Sequence, residues 1–140
     1  VSPEDTVYVL GDVFFSTKSL LSIGYTDRVM TILNGTKILV KGNHDSHKYP
    51  WYTKRGFLFA CDTFSLTYNG LKIVFSHKPL IFHDFDLNIH GHLHDLADVQ
   101  SVCRHHLVSL ENNGYVPELL DKIVANVKKD MENNEEGTVL

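Results

Sequence analysis

Four short segments pair a glycine or serine with side chains that bind metals or move protons. They are Gly11-Asp12, Gly42-Asn43-His44-Asp45, Ser76-His77 and Gly91-His92-Leu93-His94. Carboxylate, amide and imidazole donors together suit manganese, iron, zinc, nickel or cobalt, and no thiolate stands among them. Histidine also titrates near neutrality and serves as a general acid or base. Taken singly, Asp12 reads sooner as a turn residue than as a ligand, and His77 sooner as an ordinary packed histidine. His92 and His94, two positions apart, reach one site only if the chain bends, and Gly91 permits a bend. The ordered set carries more weight than any member. With nine histidines in 140 residues, position separates candidate ligands from surface imidazoles.

The segments must be held by regular elements. The apolar run Thr6-Val7-Tyr8-Val9-Leu10 predicts a buried strand that delivers Asp12 at its C-terminal end. Residues 19–33 have a helical pattern interrupted by Gly24, and Asn34-Gly35 turns the chain. Lys37-Ile38-Leu39-Val40 predicts a second buried strand leading into Gly42. Strand, helix, strand suggests a parallel βαβ unit. Residues 57–60 and 63–67 read as strands, and Asn69-Gly70 as the hairpin turn into Leu71-Lys72-Ile73-Val74-Phe75. Residues 86–90 form a short strand before Gly91, and 102–110 a last one. Residues 117–129 form an amphipathic helix with Pro117 in its first turn and Leu120, Ile123, Val124 and Val127 on one face. Residues 131–140 read as a polar, flexible tail. Four strands thus end in a glycine or serine followed by a candidate ligand. In α/β sheets, ligands bind outside the carboxyl ends of strands.

The chain length suits a single domain, 1–140, and 43% hydrophobic content provides a core. A net charge of −4 gives no general basic surface, so duplex nucleic acid is not an expected partner. A small phosphorylated substrate remains compatible, because metal ions supply local positive charge. Cys61 and Cys103 form no CxxC pair and read as reduced thiols of a cytoplasmic protein. No apolar run has the length of a membrane span. His47, Tyr49, Trp51, Tyr52, Lys54 and Arg55 make a basic, aromatic stretch. It reads as a loop over the core rather than a base-stacking surface. Lys78, after His77, reads as solvated. His90 reads as a packed histidine behind the site, and His105 and His106 as solvent-facing.

In sequence and order, the four segments resemble the calcineurin-like metallophosphoesterase family, in particular its small single-domain bacterial and phage members. That family's pattern runs Asp-x-His, Gly-Asp, Gly-Asn-His-Asp or Glu, Ser-His, and Gly-His-x-His. The likeness spans roughly residues 5–120. It implies an α/β fold, a layered sandwich of two mixed sheets flanked by helices. It also implies a hydrolase of phosphomonoesters or phosphodiesters, with a small or nucleotide-type diester favoured. The implied cofactors are two divalent metal ions, manganese foremost, with iron, zinc, nickel, cobalt or magnesium as alternatives. They clamp the phosphoryl group and hold a hydroxide between them. Asp12 would bridge the metals. Asn43, His77 and His92 would complete one site and His94 would bind the other metal. His44 would face the leaving-group oxygen as a catalytic residue, with Asp45 orienting it.

The family's Asp-x-His pair is absent, and Val13-Phe14-Phe15-Ser16 stands where Asp-Arg-Gly often follows Gly-Asp. One expectation is that the chain, which begins at Val1, lacks a first strand that carries the pair. Another is a natural one-metal or inactive protein. A third is substitution by His83, Asp84 or Asp95. The rival functional reading is accordingly a catalytically inactive domain that binds metal or a partner.

Overall fold

The computed structural model describes residues 1–14, 20–81, 84–93 and 105–136. Its strands and helices follow in the order β1 (Thr6–Val9), α1 (Leu20–Ile32), β2 (Thr36–Val40), α2 (Tyr49–Thr53) and β3 (Phe57–Cys61). The second half comprises β4 (Thr63–Tyr68), β5 (Leu71–Ser76), β6 (Leu87–His90), β7 (His105–Leu107) and α3 (Leu120–Glu136). This is an α/β layered sandwich, as the resemblance implied, although only one of its two sheets is mixed. One sheet, β1-β2-β3, is all parallel. The other, β4-β5-β6-β7, is mixed, with only β4 antiparallel to its neighbour.

Alternation along the parallel strands assigns their two faces. Tyr8, Leu10 and Val40 join a core with Leu71, Ile73, Phe75, Leu87 and Ile89 of the second sheet. Tyr8 stacks on Phe75 with ring centroids 4.4 Å apart. Val9, Leu39 and Ala60 face the other way, toward Met30 of α1 and Tyr52 of α2. The first sheet is thus covered on both faces, which accounts for its near-continuous apolar runs. Ile123 and Val124 of α3 complete the first core, with Leu120 and Val127 packed against it. The anticipated apolar face is therefore present. The helix itself starts at Leu120, beyond Pro117, and runs on to Glu136, into the stretch read as a tail.

Register decides what lies beside what. Val9 pairs with Leu39, so the chain leaving β1 at Leu10-Gly11-Asp12 runs beside Lys41-Gly42. Ser76 pairs with His90, and the Gly91 N–H donates to the His77 carbonyl at 3.1 Å. Ends of both sheets that bear candidate ligands therefore meet at one edge of the sandwich.

The hairpin turn is as read, with Asn69 and Gly70 both at positive φ. α2 was not foreseen, because its five residues are too few for a periodic signal. Asp84, offered as a substitute ligand, is exposed and pairs with Lys72 near the start of β5, at the far end from His77. His83 and Asp95 lie outside the described residues.

Candidate metal centre

Four loops meet at the site, and glycines let them. A Cβ on Gly11 would sit 2.5 Å from His77 Nδ1 and 2.6 Å from the Gly42 nitrogen. One on Gly42 would sit 2.5 Å from the Asp12 nitrogen and overlap the Asp12 carboxylate. Gly11 and Asp12 both take positive φ, +90° and +56°, and His92 does so at +69°. The bend before His94 thus falls on His92 itself rather than on Gly91. Left-handed backbone costs a non-glycine residue about 1–2 kcal/mol, so the fold holds two of the candidate ligands under strain.

Asp45 ties two of these loops together. It is buried at 4% exposure. Its Oδ2 accepts the backbone N–H groups of Asp12 at 2.8 Å and Gly42 at 2.9 Å, and its Oδ1 accepts that of Val13 at 3.2 Å. The resemblance assigns Asp45 to orienting His44; the observed contacts join the Asp12 and Asn43 loops. Beneath them Tyr52 accepts the His47 N–H through its phenol oxygen. Burial, helped by the charge of Asp45, pushes that phenol up to about 12.

The candidate ligands converge. The Leu10 carbonyl lies 2.8 Å from His77 Nδ1 and can only accept, so Nδ1 carries a proton. Around His77 Nε2 stand Asn43 Oδ1 at 2.9 Å, His92 Nδ1 at 3.0 Å and Asp12 Oδ2 at 3.3 Å. The ligand atoms of Asp12, His77 and His92 all lie within 4.8 Å of one another. Neighbouring donors on a metal with bonds of about 2.1 Å stand roughly 3 Å apart. With Nδ1 protonated, His77 Nε2 offers a lone pair, and Asn43 Oδ1, Asp12 Oδ2 and a deprotonated His92 Nδ1 would offer three more to a shared cation. The donor set therefore fits a divalent ion, and the Leu10 carbonyl fixes the His77 ring as backbone carbonyls do behind metal-bound histidines.

His44 is exposed beside this group, and its backbone N–H donates to Asp12 Oδ1 at 2.9 Å. Asp12, Asn43, His77 and His92 are thus brought together, with His44 and Asp45 adjoining. His94 lies outside the described residues.

No family model matches the chain, and neither does any curated protein sequence. The chain is similar to the crystal structure of a protein of unknown function from Aquifex aeolicus. The two share 27% identity with a TM-score of 0.69, over 89% of this chain and 77% of that one. The likeness supports the layered α/β architecture.

Asn88 escaped the sequence reading. It is fully buried between Leu87 and Ile89. Its amide nitrogen donates to the Val74 carbonyl and to Ser76 Oγ, both at 2.9 Å, and its Oδ1 accepts the Leu80 N–H at 3.0 Å. It thereby brackets the Ser76-His77-Lys78 turn that carries His77. An asparagine flanked by core residues was the available signal. His105 departs from expectation too. It pairs in β7 beside Asn88, and its ring lies 5.6 Å from that of His90, which is buried. His106 lies 2.8 Å from Glu118. Distance along the chain says nothing of such pairing.

The aromatic stretch is a packed assembly. The His47 ring lies parallel to Trp51 at 4.0 Å, and the Arg55 guanidinium stands 3.8 Å from the same ring centre. Two groups at that distance cannot share a face, so both faces of Trp51 are covered and a stacked base finds none. Among the described residues no helix is long and apolar enough to cross a membrane.

Proposed function

We propose that the protein hydrolyses phosphate esters with divalent metal ions, manganese foremost, bound by Asp12, Asn43, His77 and His92. A second ion, with His94 among its ligands, belongs to the same proposal. The observation that carries it is the convergence of Asn43 Oδ1, His92 Nδ1 and Asp12 Oδ2 on His77 Nε2, within 2.9–3.3 Å. Such ions neutralise phosphoryl oxygens and provide hydroxide at neutral pH. The chain's own groups do the rest. The Asp12 carboxylate is aimed by the His44 amide, and the His77 imidazole by the Leu10 carbonyl. Exposed His44 would protonate the departing oxygen, an effect typically worth about 10²–10⁴ in rate. The resemblance to calcineurin-like metallophosphoesterases supports the same reading, and a small or nucleotide-type diester is the favoured substrate.

The test is manganese-stimulated hydrolysis of bis(p-nitrophenyl) phosphate, with turnover lost in Asp12→Ala and His44→Ala. The absent Asp-x-His pair favours one rival, a domain that binds metal without catalysis. Undiminished manganese binding with no turnover under any divalent ion would establish that rival instead.

A further inference from the structure

A shallow, open cavity of about 320 Å³ adjoins the convergent ligands, and its lining includes Asn43, His77, Lys41, Lys78, Thr63 and Leu80. Lys41 is half-buried, and its Nζ stands 5.2 Å from the Tyr49 ring centre and 5.6 Å from that of Tyr52. Aromatic faces restrain an ammonium group without neutralising it. Tyr49 is itself fixed, donating its hydroxyl to Asp62 Oδ2 at 2.8 Å. Among the described residues neither Lys41 nor Lys78 joins an ion pair. Asp62 is the one carboxylate in the lining, and the Tyr49 hydroxyl engages it. Two uncommitted ammonium groups against one engaged carboxylate leave the cavity positive on balance.

That positive charge suits an anionic group of a bound substrate. We infer that the cavity binds a second phosphate group of the substrate, beside the ester held at Asn43 and His77. The inference rests on the phosphoester reading and narrows it to substrates with two phosphate groups a few bonds apart. A terminal phosphate offers three acceptor oxygens and close to two negative charges, and the lysines and the Thr63 hydroxyl supply donors. The cavity is at the small end of ligand sites, which run from about 300 to 1,000 Å³. It suits a substituent rather than a whole large ligand.

Two chromogenic diesters that differ by one phosphate test this, with manganese present. They are thymidine 5′-(p-nitrophenyl phosphate) and its 3′-phosphorylated counterpart. The phosphorylated diester should show a kcat/KM about tenfold higher, the order of one charge-assisted contact. The preference should fall by about half on a logarithmic scale in Lys78→Gln, whose side chain is exposed, and vanish in the Lys41→Gln, Lys78→Gln double variant. Turnover of the unphosphorylated diester should not change. Equal kcat/KM for the two diesters, or a preference that survives the double variant, overturns the inference. Calorimetry with thymidine 3′,5′-bisphosphate and thymidine 5′-monophosphate reads the same subsite without turnover, and equal affinities overturn it too. Failure to hydrolyse either diester strikes the hydrolase reading instead, while the affinity ratio still decides the subsite.

Discussion

Asp45 Oδ2 accepts the backbone N–H of Asp12 at 2.8 Å across 33 positions of sequence. The same carboxylate holds Gly42 and Val13, so one buried side chain sets the spacing between two ligand loops. Asp45→Ala leaves three amides without their acceptor. A loss of about 3 kcal/mol is expected, lowering Tm by roughly 6–12 °C for a domain of this size. Thermal melting read by circular dichroism measures it. A melting curve unchanged from the parent would sink the joining role.

Gly42 and Gly24 should respond in opposite directions to the same substitution. A Cβ at Gly42 meets the Asp12 backbone, whereas one at Gly24, within α1, meets nothing within 4 Å. Gly42→Ala should cost about 3 kcal/mol through overpacking. Gly24→Ala should stabilise by about 0.5–1 kcal/mol through helix propensity. Urea denaturation of the pair makes the comparison, and equal effects would contradict the packing described.

Metal affinity should depend on His77 more than on any neighbour, because its Nε2 is the atom the other three donors surround. His77→Ala should weaken manganese binding by about 100-fold or more, judged against the 10–100-fold typical of groups one step behind a metal. Asn88→Ala, which frees the turn carrying His77, should weaken it by about tenfold. Titration calorimetry gives both constants. Undiminished affinity in His77→Ala would remove the candidate centre.

Stability should fall in mild acid. Burial lowers His105 below its ordinary value near 6.5, and His90, which faces it, is lowered for the same reason. Phe85 packs edge-on to the His105 ring, whose buried Nδ1 has no partner among the described residues, and His106 follows on the same strand. The unfolded chain takes up a proton that the folded chain resists. Stability is therefore full above about 6.5 and declines as pH falls through and below that value. Melting in a chelator at about pH 7 and about pH 5 should show the drop, and His105→Phe should shrink it. A flat or rising Tm toward acid contradicts the assignment.

The strand ends were legible because the chemistry is local. Val7-Tyr8-Val9, Ile38-Leu39-Val40 and Ile73-Val74-Phe75 are apolar runs followed within two residues by a glycine or serine, and a buried strand needs little else to be recognised. The Asn69-Gly70 turn was legible because few other pairs accept two positive φ angles. The division into sheets was not. Only Asp62 separates β3 from β4, yet these strands belong to different sheets, and no local property of Phe57 or Phe64 announces it. The ligand set was read from residue order, while the tasks of Asp45 and Asn88 are long-range hydrogen bonds that no spacing rule encodes. Likewise, His105 beside His90 is a matter of strand pairing.

Trp51 is the one tryptophan in the chain. Its indole lies against His47 and Arg55, with Phe14 edge-on at 5.9 Å. Phe14 follows the Asp12 loop and His47 follows Asp45, so both ligand loops end on one fluorophore. The protein thus carries its own optical gauge, in which intrinsic emission registers any shift of either loop without an added label.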